Sequence, residues 1–201
     1  MQHLYGNVVW RGDVAARVVY LTFDDGPIPE VTPRVLDILG YYGIKATFFC
    51  VGENVVKHAD IFQRMIAEGH AVGNHTYNHL AGWQTPTDKY LLNVEKAQEA
   101  MLAQGADTNL FRPPYGRMRF SQKKVLKDKY QIVLWDVLTH DYNSSYTPQK
   151  ILDVVRRYTR NGSIINFHDS LKSEKNMLAA LPLCIEWLTE NGYICKTLCL
   201  K

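Results

Sequence analysis

Short runs of β-branched and aromatic residues alternate with amphipathic helical stretches along nearly the whole chain. That order points to an α/β fold with mainly parallel strands. Seven runs read as strands, at 17–23, 46–51, 71–74, 110–112, 132–136, 163–167 and 193–198. Between the first two, Val31, Val35, Ile38, Leu39 and Tyr42 recur at helical spacing, with Pro33 near the start and Gly43 as a stop. Helices are also predicted over 54–68, ended by Gly69, and over 87–104, ended by Gly105. Another follows Thr147 and Pro148, where Thr caps and Pro starts, and a last one spans 176–190, where Pro182 predicts a kink or a late start. No repeat or Pro/Ser-rich linker interrupts the order. A barrel and a doubly wound open sheet satisfy this periodicity equally.

A chain of 201 residues, 46% hydrophobic, is sized for one compact domain over 1–201. Its 23 basic and 20 acidic residues are dispersed, without the Lys/Arg run that tracks a phosphate backbone, so nucleic acid is not an expected partner. Residues 1–13 lack the pattern of a secretory signal, and no stretch approaches the roughly 18 apolar residues of a membrane span. Cys50, Cys184, Cys195 and Cys199 show no C-x-x-C pairing. On one strand Cys195 and Cys199 would stand roughly 13 Å apart, too far for a disulfide. Reduced thiols and a cytoplasmic setting are the default expectation. Oligomeric state is not legible.

The reactive clusters fall just after predicted strands, where parallel β/α folds gather their active sites. The first strand runs into Asp24-Asp25-Gly26-Pro27, the third into His75-Thr76-Tyr77-Asn78-His79, the fifth into Asp136 and Asp141, and the sixth into His168-Asp169. Asp-Asp-Gly-Pro also fits an ordinary polar turn. His75 and His79 share a face if their segment is helical, a spacing at which two imidazoles can bind one metal. One Asp and two His supply three N/O ligands and leave positions open for water and a substrate oxygen. The second Asp is then free to act as a base, and His168 can protonate a leaving nitrogen.

These residues, in this order, resemble the NodB-type polysaccharide deacetylases of carbohydrate esterase family 4, from Val19 to about Cys199. Thr22-Phe23-Asp24-Asp25-Gly26-Pro27 matches the family's first motif, His75-Thr76-Tyr77-Asn78-His79 its H-S/T-x-x-H motif, and Arg112-Pro113-Pro114-Tyr115 its R-x-P-Y motif. The resemblance implies a distorted, incomplete β/α barrel and hydrolysis of N-acetyl groups on an acetylated sugar or polysaccharide by metal-activated water. It implies Asp24 as base, His168 as acid, and Asp25, His75 and His79 as holders of one divalent metal, zinc first, with cobalt or nickel as alternatives. Arg112 would orient Asp24, the Tyr115 amide would help hold the oxyanion, and Asp141 would orient His168 and raise its pKa.

Three departures stand out. Where the family's fourth motif reads D-x-x-D-W, Leu138 replaces the first Asp and Tyr142 the Trp, and Asn166 stands where the last motif, L-x-H, has Leu. Alternation along the sixth strand puts Asn166 on the face of Ile164 and His168, opposite Ile165 and Phe167. This predicts an acetyl pocket weakened at Asn166 and improved by Asn166→Leu. Asp136 and His140 are candidates to compensate, or plain loop residues. Trp83, Tyr77, Trp135 and Tyr142 are candidates to stack on a sugar, with core packing as the alternative. Asp169 is expected to brace a loop; His3, His58 and His70 carry no pattern. Rival readings are a sugar-binding protein without catalysis, which requires a missing base, ligand or acid, and an iron(II) oxygenase, which leaves the Asp pair unexplained.

Overall fold

β1 (Val18–Asp24) is buried along its whole length, as a strand must be when it runs parallel to its neighbours under cover on both faces. The structure is a computed structural model that describes residues 8–198. After β1 come α1 (Thr32–Tyr41), β2 (Thr47–Cys50), α2 (Gly52–Lys57), α3 (Ala59–Ala67), β3 (Ala71–Asn74) and α4 (Thr87–Leu102). Then follow β4 (Leu110–Phe111), α5 (Phe120–Leu126), β5 (Gln131–Ile132), β6 (Val137–Leu138), α6 (Pro148–Tyr158), β7 (Ile164–His168), α7 (Glu174–Glu190) and β8 (Ile194–Cys195). Seven strands lie in the order β5-β4-β3-β2-β1-β7-β6, and β8 pairs with the start of β1. All of these pairings are parallel. The sheet is an open, curled half-barrel, as the resemblance implies. Residues 8–12 link β5 to the approach of β7, through Val9 N–H to Ile132 O (2.9 Å) and Gly12 N–H to Gly162 O (2.8 Å).

Alternation along the central strands separates two environments. Val19, Leu21 and Phe23 of β1, Phe48 of β2, and Ile165 and Phe167 of β7 pack with Val35, Leu39, Val155 and Leu181 of the helices. Val18, Tyr20, Phe49 and Ile164 form a second apolar cluster with Leu110 and Val133 on the concave side. Toward the C-terminal ends the same rows turn polar, because the register pairs Tyr20 with Ile164, then Thr22 with Asn166, then Asp24 with His168. An apolar floor therefore carries a polar upper layer. The predicted split of β7, with Ile165 and Phe167 toward the helices, holds.

Several boundaries differ from expectation. The predicted helix over 54–68 is two, broken at His58 (φ −129°, ψ 52°). The predicted strand over 132–136 is the two-residue β5, followed by a separate β6. α5 has no counterpart in the sequence reading. α7 starts earlier than expected, at Glu174, and continues through Pro182. At α6 the Thr147 hydroxyl accepts from Lys150 N–H (3.2 Å), as the Thr-Pro pair predicts. Cys50 and Cys184 are buried free thiols and Cys195 is also free. Cys199 and His3 lie outside the described residues.

Candidate active site

Asp24 ends β1 between Phe49 of β2 and His168 of β7, so backbone register alone brings Asp24 and His168 to one rim. A cavity of about 430 Å³ opens there, lined in part by Asp24, Asp25, His75, His79, Tyr115 and His168. Trp135, Leu138, Tyr142, Ser170 and Lys172 line the rest.

The expected metal ligands converge. One ligand atom each from Asp25, His75 and His79 lie within 4.8 Å of one another. Asp25 Oδ1 is 3.3 Å from His79 Nε2 and 3.8 Å from His75 Nε2. It is buried and has no hydrogen-bond partner. An unsatisfied buried carboxylate oxygen facing two imidazoles fits a cation, since burying such an atom alone costs about 1–3 kcal/mol or more. His75 Nδ1 donates to Arg112 O (2.7 Å), which leaves the Nε2 lone pair toward Asp25. Burial lowers the His75 pKa to about 4, with Asp24 opposing, so the ring is a neutral ligand near pH 7.

The two histidines do not share a helix, so the condition for a common helical face is not met and the loop brings them together instead. They sit on a loop in which Thr76 and His79 have positive φ (64° and 56°). Asn74 Oδ1 accepts from Thr76 N–H (2.9 Å), Asn93 Oδ1 accepts from Tyr77 N–H (2.9 Å), and the Gly52 and Glu53 amides at the start of α2 donate to the Thr76 and Tyr77 carbonyls. Among the described residues, the other non-glycine residues with positive φ are Asp25, Tyr115 and His140. All five sit at or beside the cavity, the usual location of backbone strain in a functional site. The Asn74 brace was missed in the sequence. Its signal is an Asn at a strand end, able to accept from an N–H two residues on.

Beneath the cavity lies a buried polar layer. Arg112 is fully buried, stacked 4.0 Å from the Phe49 ring centre, and its Nη2 donates to Leu134 O (3.0 Å). Its Nη1 donates to Asp24 Oδ1 (2.7 Å). Burial pushes the Asp24 pKa up, but Arg112 and the His75 and His168 imidazoles outweigh this and hold it below the ordinary carboxylate range.

Asp141 does meet His168. Asp141 Oδ2 accepts from the His168 N–H (2.7 Å), and Oδ1 lies 2.8 Å from His168 Nδ1. Burial alone would lower the His168 pKa, but the Asp141 hydrogen bond and charge, with Asp24 and Asp25, raise it to about 9. Tyr142 packs edge-on against His168, ring centres 5.0 Å apart, so a smaller aromatic still covers the imidazole where the family has Trp.

Tyr115 lines the cavity, and its ring centre is 4.7 Å from that of His79. Trp83 packs edge-on behind Tyr115 (5.1 Å), Trp135 and Tyr142 line the cavity, and Tyr77 lies under Lys96. Asp136 is not at the site: it accepts from Ile164 N–H (3.1 Å) and Arg160 Nε (3.2 Å). His140 contacts the Tyr142 hydroxyl (3.2 Å). Asp169 braces the β1–α1 loop, accepting from Gly26 N–H (3.0 Å) and Thr32 Oγ1 (2.6 Å). A Cβ at Gly26 would lie 2.0 Å from Asp169 Oδ2, so that approach requires glycine.

Asn166 overturns one expectation. It faces the concave side as predicted, but it is fully buried beneath Asp24 and does not line the cavity. Its Nδ2 donates to Asp24 Oδ2 (3.0 Å), and its Oδ1 accepts from Arg112 Nη1 and Thr22 Oγ1. An amide with both ends engaged below the base contacts no acetyl methyl, so the predicted gain from Asn166→Leu loses its ground.

The half-barrel gathers paired carboxylates and converging imidazoles at its C-terminal rim, and the matches to known proteins place the chain among amide-bond hydrolases acting on polysaccharides. The polysaccharide deacetylase profile matches residues 11–131, and the chain belongs to that family. It is 32% identical over 191 residues to a peptidoglycan-N-acetylglucosamine deacetylase of Bacillus cereus, covering 94% of this chain and 89% of that one. It is also 32% identical to a chitooligosaccharide deacetylase of Sinorhizobium fredii, covering 96% of each. A crystal structure of a peptidoglycan N-acetylglucosamine deacetylase superposes with a TM-score of 0.92 at 33% identity, over 96% of this chain and 91% of that one. A pseudoenzyme of carbohydrate esterase family 4 from Bacillus anthracis also superposes, with a TM-score of 0.86 at 27% identity, over 94% of this chain and 66% of that one. Fold alone therefore does not establish turnover; the site residues decide it.

Proposed function

We propose that this chain removes acetyl groups from an N-acetylated glycan with the help of one divalent cation, Asp24 acting as base and His168 as acid. The observation that carries the reading is the pairing of Asp24 with His168 across β1 and β7, beside a three-ligand cluster whose Asp25 Oδ1 has no other partner. Similarity to deacetylases of peptidoglycan and chitooligosaccharides supports the substrate class.

A cation held by Asp25, His75 and His79, zinc first by its N/O donor set, would supply Lewis-acid polarisation of the acetamide and a more acidic water. Asp24, ionised at neutral pH, takes the proton of the attacking water. The Tyr115 N–H, at a positive-φ turn on the cavity rim, donates to the carbonyl oxygen as negative charge builds on it. His168, protonated below about pH 9, donates to the amine nitrogen as the C–N bond breaks, so that acetate and a free amino sugar leave. Against the binding-only reading stand the base, acid and three ligands that it requires to be incomplete, and an iron(II) oxygenase site would leave Asp24 without a role.

The test is acetate release from a panel of N-acetylated glycans, with elemental analysis of the protein. Release that stops on chelation and returns with added zinc supports the reading. Release unaffected in metal-free protein refutes it.

Asp141→Asn removes the charge that raises the His168 pKa. The alkaline limb of the kcat/KM profile, expected near pH 9, should then move to lower pH. An unmoved limb in a folded variant removes Asp141 from this role.

A further inference from the structure

We infer that Asn166 is a positioning residue that fixes the Asp24 carboxylate for proton transfer; this rests on the reading of Asp24 as the base. Each Asp24 oxygen receives one donor from the buried layer: Oδ1 from Arg112 Nη1 (2.7 Å) and Oδ2 from Asn166 Nδ2 (3.0 Å). Two donors on two oxygens fix both the place and the rotation of a carboxylate, whereas one leaves it free to turn about that bond. The amide is itself locked. Its Oδ1 faces Arg112 Nη1, a group that donates and cannot accept, so the flipped amide would set donor against donor.

The register explains why position 166 does this. Asn166 pairs with Thr22, and His168 pairs with Asp24, so the residue two before the acid lies directly below the base on the neighbouring strand. A side chain without a donor there leaves Asp24 Oδ2 without a protein partner on the buried side of the carboxylate, where Thr22, Arg112 and Asn166 have no exposed surface.

The experiment compares Asn166→Leu, of similar size, and Asn166→Ala, both of which lose the donor to Asp24 without adding a second carboxyl group beside it. Each is measured alone and in an Asp24→Asn background, by acetate release below the melting temperature. In the native background kcat should fall by about 10- to 100-fold with KM within about twofold, because misplacing a reacting group by about 1 Å costs on that order. In the Asp24→Asn background the same substitutions should change the residual rate by less than about twofold, because an effect exerted through the base disappears with it. General damage to the fold would lower both backgrounds by the same factor, and that result overturns the inference. So does a kcat within about twofold of the native value in either folded variant. If Asp24→Asn alone keeps the native rate, the base assignment is wrong and the positioning role falls with it.

Discussion

Asp24→Asn should lower kcat for N-acetyl hydrolysis by about 10²- to 10⁴-fold, the usual cost of losing a general base, while the protein keeps its metal. The substitution preserves shape and leaves Asp25, His75 and His79 untouched. It removes the carboxylate that faces both the cavity and the buried Arg112–Asn166 pair. His75→Ala should instead lose metal and activity together, because the Asp25–His79 pair alone makes a poor site. The two variants therefore separate base from ligand by elemental analysis and kcat. An Asp24→Asn enzyme that turns over at the native rate would move the base elsewhere. Rates should be taken well below the melting temperature, because neutralising Asp24 also leaves Arg112 buried without its counter-charge.

The parts of this site that could be read in the sequence were those fixed by strand ends. Asp24, His75 and His168 each end or follow a strand, and parallel pairing then gathers them without further instruction. The parts that could not be read depend on loops or on which face a helix buries. The His75–His79 spacing suggests a helix, but Thr76 and His79 adopt positive φ, held by Asn74 and Asn93 from outside the motif. α5 was missed because its large apolar residue Phe120 is 73% exposed while Gln122 and Lys123 are buried, so its periodicity marks the wrong face. The break at His58 is a backbone turn between two stretches that both look helical. Asn166 shows the limit most clearly. Alternation assigned its face correctly, yet depth along the strand, one pair below the rim, decides whether it meets substrate or the base.

Arg112→Met should destabilise the fold by about 3–5 kcal/mol near neutral pH, the usual cost of removing one partner of a buried ion pair. Arg112 has no exposed surface, and its side-chain hydrogen bonds go to Asp24, Asn166, Thr22 and two backbone carbonyls, so no water can take over the lost bonds without opening the layer. In the native protein the Asp24 pKa lies below its ordinary value, so that group adds stability above about pH 4 and loses it as pH falls through the lowered pKa. Without the guanidinium, burial is opposed by the imidazoles and the Asn166 amide alone, and the carboxyl pKa rises. Ionising Asp24 then costs stability, and the deficit of Arg112→Met should be smaller at pH 4 than at pH 7 in denaturant titrations. The same shift keeps Asp24 protonated over part of the working range, so activity should fall with stability. Adding Asp24→Asn removes the stranded charge. The double variant should therefore be less destabilised than the sum of the two single losses, by a kcal/mol or more, as expected for groups that act as one unit. Additive losses would show that Arg112 is held by its carbonyl and stacking contacts alone, with no stabilisation from the carboxylate beside it.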